Sequence, residues 1–249
     1  MKKDTKILVR FIVLMALAMT AGGIMGYAGA ANRRTVSDVL AIVMDTLITI
    51  APAGIAVSGL LTVLSFADYT KGKALTEKAL SIGEDADYDA AEKILEKSLE
   101  KGNYSLILSY TALGMLVSGF AGRYTAADMP LVLGTLAVFF VLLMANTFIQ
   151  SALVKQVKRL NPEKQGNVLD SKFQQEWLDS CEEAQRVLIG KAAFAAYRAT
   201  QKAIIAAMLV AMAVSFEYPV GPLPVVLVGA IWLAQTATYV KTSRDESFR

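Results

Sequence analysis

The chain has 249 residues, of which 55% are hydrophobic and 19% charged, with a net charge of +3 and a mean hydropathy of +0.45. An ordinary soluble domain has about 45–50% apolar and about 25% charged residues. The composition therefore excludes a typical soluble protein and favours a membrane protein. The small net charge says little about nucleic acid, and the chain has no basic patch with interleaved aromatic residues, so no nucleic-acid partner is predicted.

Six apolar segments alternate with hydrophilic ones along the chain. Segment 39–66 is the most apolar, with a single charged residue, Asp45, and it exceeds the roughly 20 residues that a helix needs to cross a bilayer. The fold class predicted is all-α, a polytopic membrane helix bundle that forms one domain over residues 1–249. Its six predicted transmembrane helices are 7–31, 39–66, 104–122, 130–153, 203–216 and 223–240.

Segment 7–31 has two interpretations. Lys2 and Lys3 precede an apolar core, and Ala28-Gly29-Ala30 imitates a signal-peptide cleavage site. The segment is nevertheless longer than the core of a signal peptide, which has about 7–15 residues. An uncleaved first span is therefore favoured, and cleavage would leave the orientation of the other five spans unchanged.

Asp45 is the candidate functional residue within the membrane. An intramembrane carboxylate is costly and marks a functional site by default, and the same span contains Pro52, which is expected to kink it. In the competing interpretation the span is longer than the bilayer. Asp45 then lies near the outer headgroups and forms a structural pair with Arg33, Arg34 or Arg123.

Segment 67–103 is the first of two predicted cytoplasmic helical segments. Gly83-Glu84-Asp85 predicts a turn, and from Tyr88 onward apolar residues recur at helical spacing, Ile94 and Leu95 among them. This apolar stripe must cover either the other cytoplasmic segment or a partner, so Ile94 and Leu95 belong to the candidate partner surface.

Segment 154–202 is the second predicted cytoplasmic segment. It begins as a continuation of the fourth span, in which Lys155, Lys158 and Arg159 are candidate contacts to anionic lipid. Asn161-Pro162 ends that helix. Asp170 is then the predicted N-cap of a helix. The apolar stripe of this helix consists of Phe173, Trp177, Cys181, Ala184 and Leu188. The candidate partner surface includes Phe173, Trp177, Cys181 and Leu188 of this stripe.

The distribution of basic residues predicts the orientation of the chain. Of its 25 Lys and Arg, 22 lie in the N-terminus, the two long segments and the C-terminal tail, which alternate with the three short turns. Since basic residues stay on the cytoplasmic side, both termini are predicted to lie inside the cell, in a plasma membrane. The single Cys181, placed in the cytoplasm, is then expected to be a reduced thiol.

The chain carries few residues suited to catalysis. It contains no histidine, which is the usual base near neutral pH. It has no phosphate-binding loop, no dinucleotide fingerprint and no nucleophile elbow. No catalytic residue, metal site or cofactor is predicted, and an enzyme is the least favoured class.

A family resemblance comes from the second long segment. Asn161-Pro162-Glu163-Lys164, Phe173 and the run Trp177–Ala184 resemble a family of bacterial membrane proteins of unknown function, common in Gram-positive bacteria, and chain length and six-span layout are similar too. Members are often encoded beside a helix-turn-helix regulator, which implies a regulated membrane response. The family supplies no catalytic residues.

Two functional hypotheses are carried forward. The first is a non-enzymatic regulatory, sensory or accessory component that acts through its cytoplasmic helices, on a partner such as a regulator or by self-association. The second is a transporter or the membrane subunit of one, because the layout also resembles the transmembrane half of an ABC exporter, whose cytoplasmic arms dock on an ATPase. That second likeness concerns architecture only.

Overall fold

The computed structural model describes residues 9–10, 12–13, 15–17, 19–20, 23, 27, 33–121, 123–217 and 222–244. In these residues the chain is all-α, as predicted, and has no strand. Its helices are α1 (Arg33–Ile82), α2 (Asp85–Ser118), a 3₁₀-helix (Gly119–Ala121), α3 (Met129–Leu160), α4 (Phe173–Asp179), α5 (Glu183–Glu217) and α6 (Leu223–Arg244). Most of the predicted first span, 7–31, lies outside the described residues.

The chain divides into two compact units. One unit comprises Met44–Lys191, and the other comprises Met1–Val43 with Ala192–Arg249. In the second unit α5 and α6 meet through the rings of Tyr197 and Tyr239, which stack with centroids 4.8 Å apart. The single domain over 1–249 stays a prediction.

Four described helical stretches are long and apolar enough to cross a membrane: Asp38–Ile82, Met129–Leu160, Glu183–Ser215 and Leu223–Thr242. They coincide with four of the six predicted spans, except that residue 216 of the fifth lies past Ser215. Helix α2, which ends at Ser118 and holds residues 104–118 of the predicted third span, is not among them. Its apolar part is shorter than the roughly 20 residues that cross a bilayer, because Lys101 and Asn103 precede it.

The unit Met44–Lys191 contains a bundle of α1, α2 and α3. Buried residues on each helix recur at alternating intervals of three and four, the spacing of helices that pack as a left-handed coiled coil. On α3 they are Val132, Thr135, Phe139, Leu142, Asn146, Ile149, Leu153, Gln156 and Leu160. This regular pattern extends from the predicted membrane segments into the predicted cytoplasmic ones.

Helices α1 and α2 form a long hairpin whose tip is the predicted turn. Gly83 adopts φ +80°, a left-handed conformation that favours glycine, and α2 begins at Asp85. Helix α1 has 50 residues and runs through Pro52 without ending. At about 1.5 Å per residue it is about 75 Å long, far more than the roughly 30 Å of bilayer hydrocarbon.

The helix predicted to begin after Asp170 differs from the observed one. Asp170 Oδ1 accepts a hydrogen bond from the backbone N–H of Lys172 (2.9 Å), which forms a turn and not a helix cap. Helix α4 covers only Phe173–Asp179, and α5 begins separately at Glu183. The Ser180 hydroxyl bonds Trp177 O (2.8 Å) and accepts from Gln165 N–H (3.0 Å). Such local hydrogen bonds compete with a continuous helix.

Candidate functional site

Asp45 lies at one end of the bundle, beside the turn between α2 and α3. Its Oδ1 is 2.8 Å from Nε of Arg123, and its side chain is 62% exposed. Arg123 also donates to the Thr49 hydroxyl (2.7 Å), which in turn donates to Asp45 O (2.7 Å). Arg123 is one of the three partners that the structural interpretation named. A role of Asp45 in transport stays a prediction.

A cleft of about 150 Å³ opens next to this ion pair. Its lining combines apolar side chains of α1, α2 and α3 with the polar groups of Thr49, Arg123, Tyr124 and Asp128. Tyr124 is fixed there because its hydroxyl donates to Leu116 O (3.0 Å). A Cβ on Gly119 would clash with the ring of Tyr124, so a larger residue at that position would require the tyrosine to move.

Asp128 precedes α3 at the rim of the cleft. The backbone N–H and the hydroxyl of Thr125 both donate to its Oδ2 at 2.8 Å. These hydrogen bonds, the backbone one first, hold the pKa of the Asp128 carboxyl below its usual value, and the charge of Arg123 adds to the effect. Asp128 is therefore an anion near neutral pH, and the cleft carries both signs of charge.

The interior of the bundle contains two groups of hydrogen-bonded hydroxyls. In the first, which we call the Ser105 layer, the Ser105 hydroxyl lies 2.9 Å from that of Ser58 and 2.8 Å from that of Thr62. In the second, the Ser98 layer, Ser65 and Ser98 each donate to the other's backbone carbonyl at 2.7 Å. Every one of these five residues is buried. The layers join α1 to α2 with polar contacts suited to an apolar surrounding.

Asn146 of α3 adds the third helix to this network. Its amide nitrogen donates to the Thr62 hydroxyl (2.9 Å) and to Leu142 O (3.0 Å). Sequence reasoning missed the network. A visible signal was present, since Ser58, Ser65 and Gly72 recur at intervals of seven on α1, as do Ser98, Ser105 and Ala112 on α2.

The predicted partner surface on α2 is largely internal. Leu95 is only 1% exposed and packs in one cluster with Ala79 and Ala91 of the hairpin and Ile149, Leu153 and Leu160 of α3. Helix α3 therefore covers Leu95 from within the same bundle, and its part in a partner surface stays a prediction. Ile94 is half-buried. Asn161 also donates to Glu92, at 2.6 Å, so the two long segments meet each other at this level.

The rest of the predicted partner surface lies on both sides of the break between α4 and α5. Phe173 and Trp177 are half-buried and lie against each other, with ring centroids 5.6 Å apart. Cys181 is buried, and its sulfur lies 3.1 Å from Nζ of Lys164. Leu188, on α5, is 67% exposed. These residues do not form the single stripe that the sequence predicted.

The three candidate lipid contacts differ in their surroundings. Lys155 is exposed. Lys158 is half-buried and donates to Gly166 O. Arg159 donates to the Gln156 side chain (3.0 Å) and lies 4.0 Å from Glu77. Contact with anionic lipid stays a prediction for all three.

Among the residues that the structure describes, no group of three or more Cys, Asp or Glu side chains is placed to hold a metal ion.

No curated protein and no solved structure matches this chain. One family matches nearly its whole length, residues 5–243, and is described as "Protein of unknown function (DUF3169)". The chain therefore belongs to the DUF3169 family.

Proposed function

We propose that this protein is a six-span component of the bacterial plasma membrane, with both termini in the cytoplasm, that acts on a cytoplasmic partner through the α1–α2 hairpin. The observation that carries the proposal is the continuity of α1. The helix passes without interruption from the Asp45–Arg123 pair to the hairpin tip at Ile82. A continuous helix of this kind gives a path by which a displacement at one end can reach the other, with Pro52 between the two ends.

The shape of the hairpin supports a regulatory or accessory role. About 16 residues of α1, from position 67 to 82, extend past the predicted span, which is about 24 Å of helix. Close to the tip, Leu80 and Ile82 are 43% and 53% exposed. We expect the partner to contact these two apolar side chains at the hairpin tip. No catalytic constellation is needed for such a role.

Affinity purification tests this proposal directly. The tagged protein and a Leu80→Asn/Ile82→Asn variant are purified from native membranes in mild detergent, and co-purifying proteins are quantified by mass spectrometry. We expect a stoichiometric cytoplasmic partner with the unchanged protein and its loss from the variant. Leu169→Asn is the control, because Leu169 is an apolar and even more exposed residue outside the hairpin.

The identity of the partner separates the two functional hypotheses. A regulator or kinase supports the regulatory role, whereas an ATPase makes the protein the membrane subunit of a transporter. Recovery of the protein alone, or only with copies of itself, would contradict action through a cytoplasmic partner. Equal loss of the partner with Leu169→Asn would contradict the assignment of the tip.

Transport remains the second candidate because of the cleft beside Pro52. That cleft is lined by the charged side chains of Arg123 and Asp128 and borders the Asp45 pair. If the protein is a transporter, Asp45→Asn abolishes flux while the amount of protein in the membrane stays the same. Full flux in that variant would remove Asp45 from the transport hypothesis.

A further inference from the structure

Asn146 carries an unused hydrogen-bond acceptor at the centre of the bundle. The residue is fully buried, and its Oδ1 accepts no hydrogen bond from any residue that the structure describes. The orientation of the amide is fixed because its nitrogen donates to Leu142 O, where an oxygen would meet another acceptor. A buried acceptor left without a donor is costly, so its surroundings indicate what it binds.

Gly102, which has no side chain, lies beside this oxygen. A Cβ built on Gly102 would lie 3.5 Å from Asn146 Oδ1 and 3.4 Å from Ser65 Oγ, with nothing else within 4 Å beyond its own neighbours in the helix. The Ser65 hydroxyl donates its proton to Ser98 O (2.7 Å). Both oxygens therefore lie near the same point as acceptors, and neither donates to the other.

We propose that one water molecule binds beside Gly102 and donates one hydrogen bond to Asn146 Oδ1 and the other to Ser65 Oγ. A buried water typically makes two to four hydrogen bonds to polar groups that lack partners. A divalent metal ion would need about six oxygen ligands, whereas among the described residues two side-chain oxygens lie within 4 Å of a Cβ at Gly102. The water would connect the Ser105 layer to the Ser98 layer and join all three helices.

The test is the order of stability of Gly102→Ala and Gly102→Ser against the unchanged protein. Thermal unfolding in detergent is followed with a thiol-reactive fluorogenic dye, for which the buried Cys181 is the single target. The added methyl group of Gly102→Ala displaces the water and supplies no donor, so we expect Tm to fall by about 2–4 °C. Gly102→Ser supplies a hydroxyl donor and is expected to be more stable than Gly102→Ala.

Two other orders would overturn the proposal. If no water is bound, helix propensity determines the order of stability. Gly102→Ala is then the most stable, followed by Gly102→Ser and then the unchanged protein. If there is too little room beside Gly102 for a water, Gly102→Ser is less stable than Gly102→Ala because serine is the larger residue. Failure of both variants to fold would also show that there is too little room.

The same substitution in an Asn146→Leu background tests the role of the acceptor oxygen of Asn146. Asn146→Leu keeps the shape of the side chain and removes the oxygen that needs a donor. In this background we expect Gly102→Ala to become neutral or stabilising relative to Asn146→Leu alone. An equal destabilisation by Gly102→Ala in both backgrounds would contradict the water site.

Discussion

Asp45 and Arg123 show how charged residues are accommodated at one end of the bundle. Their side chains meet at 2.8 Å, and Thr49 connects both through hydrogen bonds. A carboxylate in an apolar segment suggests a functional role by itself. The ion pair with Arg123, 78 positions further along the chain, gives Asp45 a structural role as well. The sequence alone named Arg123 among three candidates, and only the packing of α1 against the turn after α2 selects it.

A charge exchange tests the Asp45–Arg123 pair. We expect Asp45→Arg and Arg123→Asp each to lower stability, by up to about 1 kcal/mol, because exposed ion pairs contribute little. The double variant Asp45→Arg/Arg123→Asp is expected to recover most of the loss, as measured by Tm in detergent. Asp38→Arg is the control, since it alters a charge on the same helix. Additive losses in the double variant would contradict a direct interaction.

The Asp128 carboxyl predicts a dependence of stability on pH. Because the hydrogen bonds from Thr125 lower its pKa in the folded protein, ionised Asp128 contributes stability above the pKa of the unfolded chain, about 3.9. That contribution is lost as the pH falls from there through the lowered pKa. We expect Asp128→Asn to reduce Tm at pH 7 and to have a smaller effect at pH 3. An equal effect at both pH values would show that the charge is not involved.

At the scale of elements, close packing of the α1–α2 hairpin depends on glycine at one position. A Cβ on Gly72 would lie 2.6 Å from Leu95 Cδ2 and 2.9 Å from Leu95 Cγ. Leu95 cannot move freely, because α3 covers its other side. The hairpin therefore brings the two helices together where α1 has no side chain and α2 has a large one.

Gly72→Ala is expected to destabilise the protein by about 1–3 kcal/mol, because overpacking outweighs the gain in helix propensity. Gly114→Ala is the matched control, since nothing lies within 4 Å of a Cβ at Gly114, and we expect it to be neutral or slightly stabilising. Both are measured by Tm. A stabilising Gly72→Ala would show that the helices are further apart than described here.

The elements differ in how far the sequence could predict them. The turn at Gly83 and the end of α3 before Pro162 follow from backbone preferences and were predicted within a few residues. The burial of Leu95 was not predictable, because periodicity shows that a face is apolar and not which helix covers it. At the break near Ser180, the serine hydroxyl donates to Trp177 O and accepts one hydrogen bond from Gln165 N–H, a contact across 15 residues that no local pattern contains.

For the whole molecule, hydropathy identified the apolar segments and gave no sign of the polar network of the bundle. The predicted third span is not among the candidate membrane helices, because Lys101 and Asn103 precede its apolar part and α2 ends at Ser118. The heptad spacing of Ser98, Ser105 and Ala112 is nevertheless informative, since small and hydroxyl side chains permit close contact and hydrogen bonds between helices in lipid. For α2, hydropathy indicates the apolar part of the helix, and the heptad spacing of small residues indicates the face that packs against the other helices.

The orientation of the bundle is the prediction on which the proposed function depends. If 22 of the 25 basic residues lie inside the cell, the hairpin tip is cytoplasmic and the turn before α3 is external. In a Cys181→Ser background, a membrane-impermeant maleimide is expected to label Ala126→Cys in intact cells, and Ser81→Cys only after permeabilisation, because both positions are exposed. The reverse pattern would place the Asp45 cleft inside the cell and remove the tip from any cytoplasmic partner. Labelling of both positions in intact cells would mean that an even number of spans, or none, separates them, which contradicts a single crossing by α2.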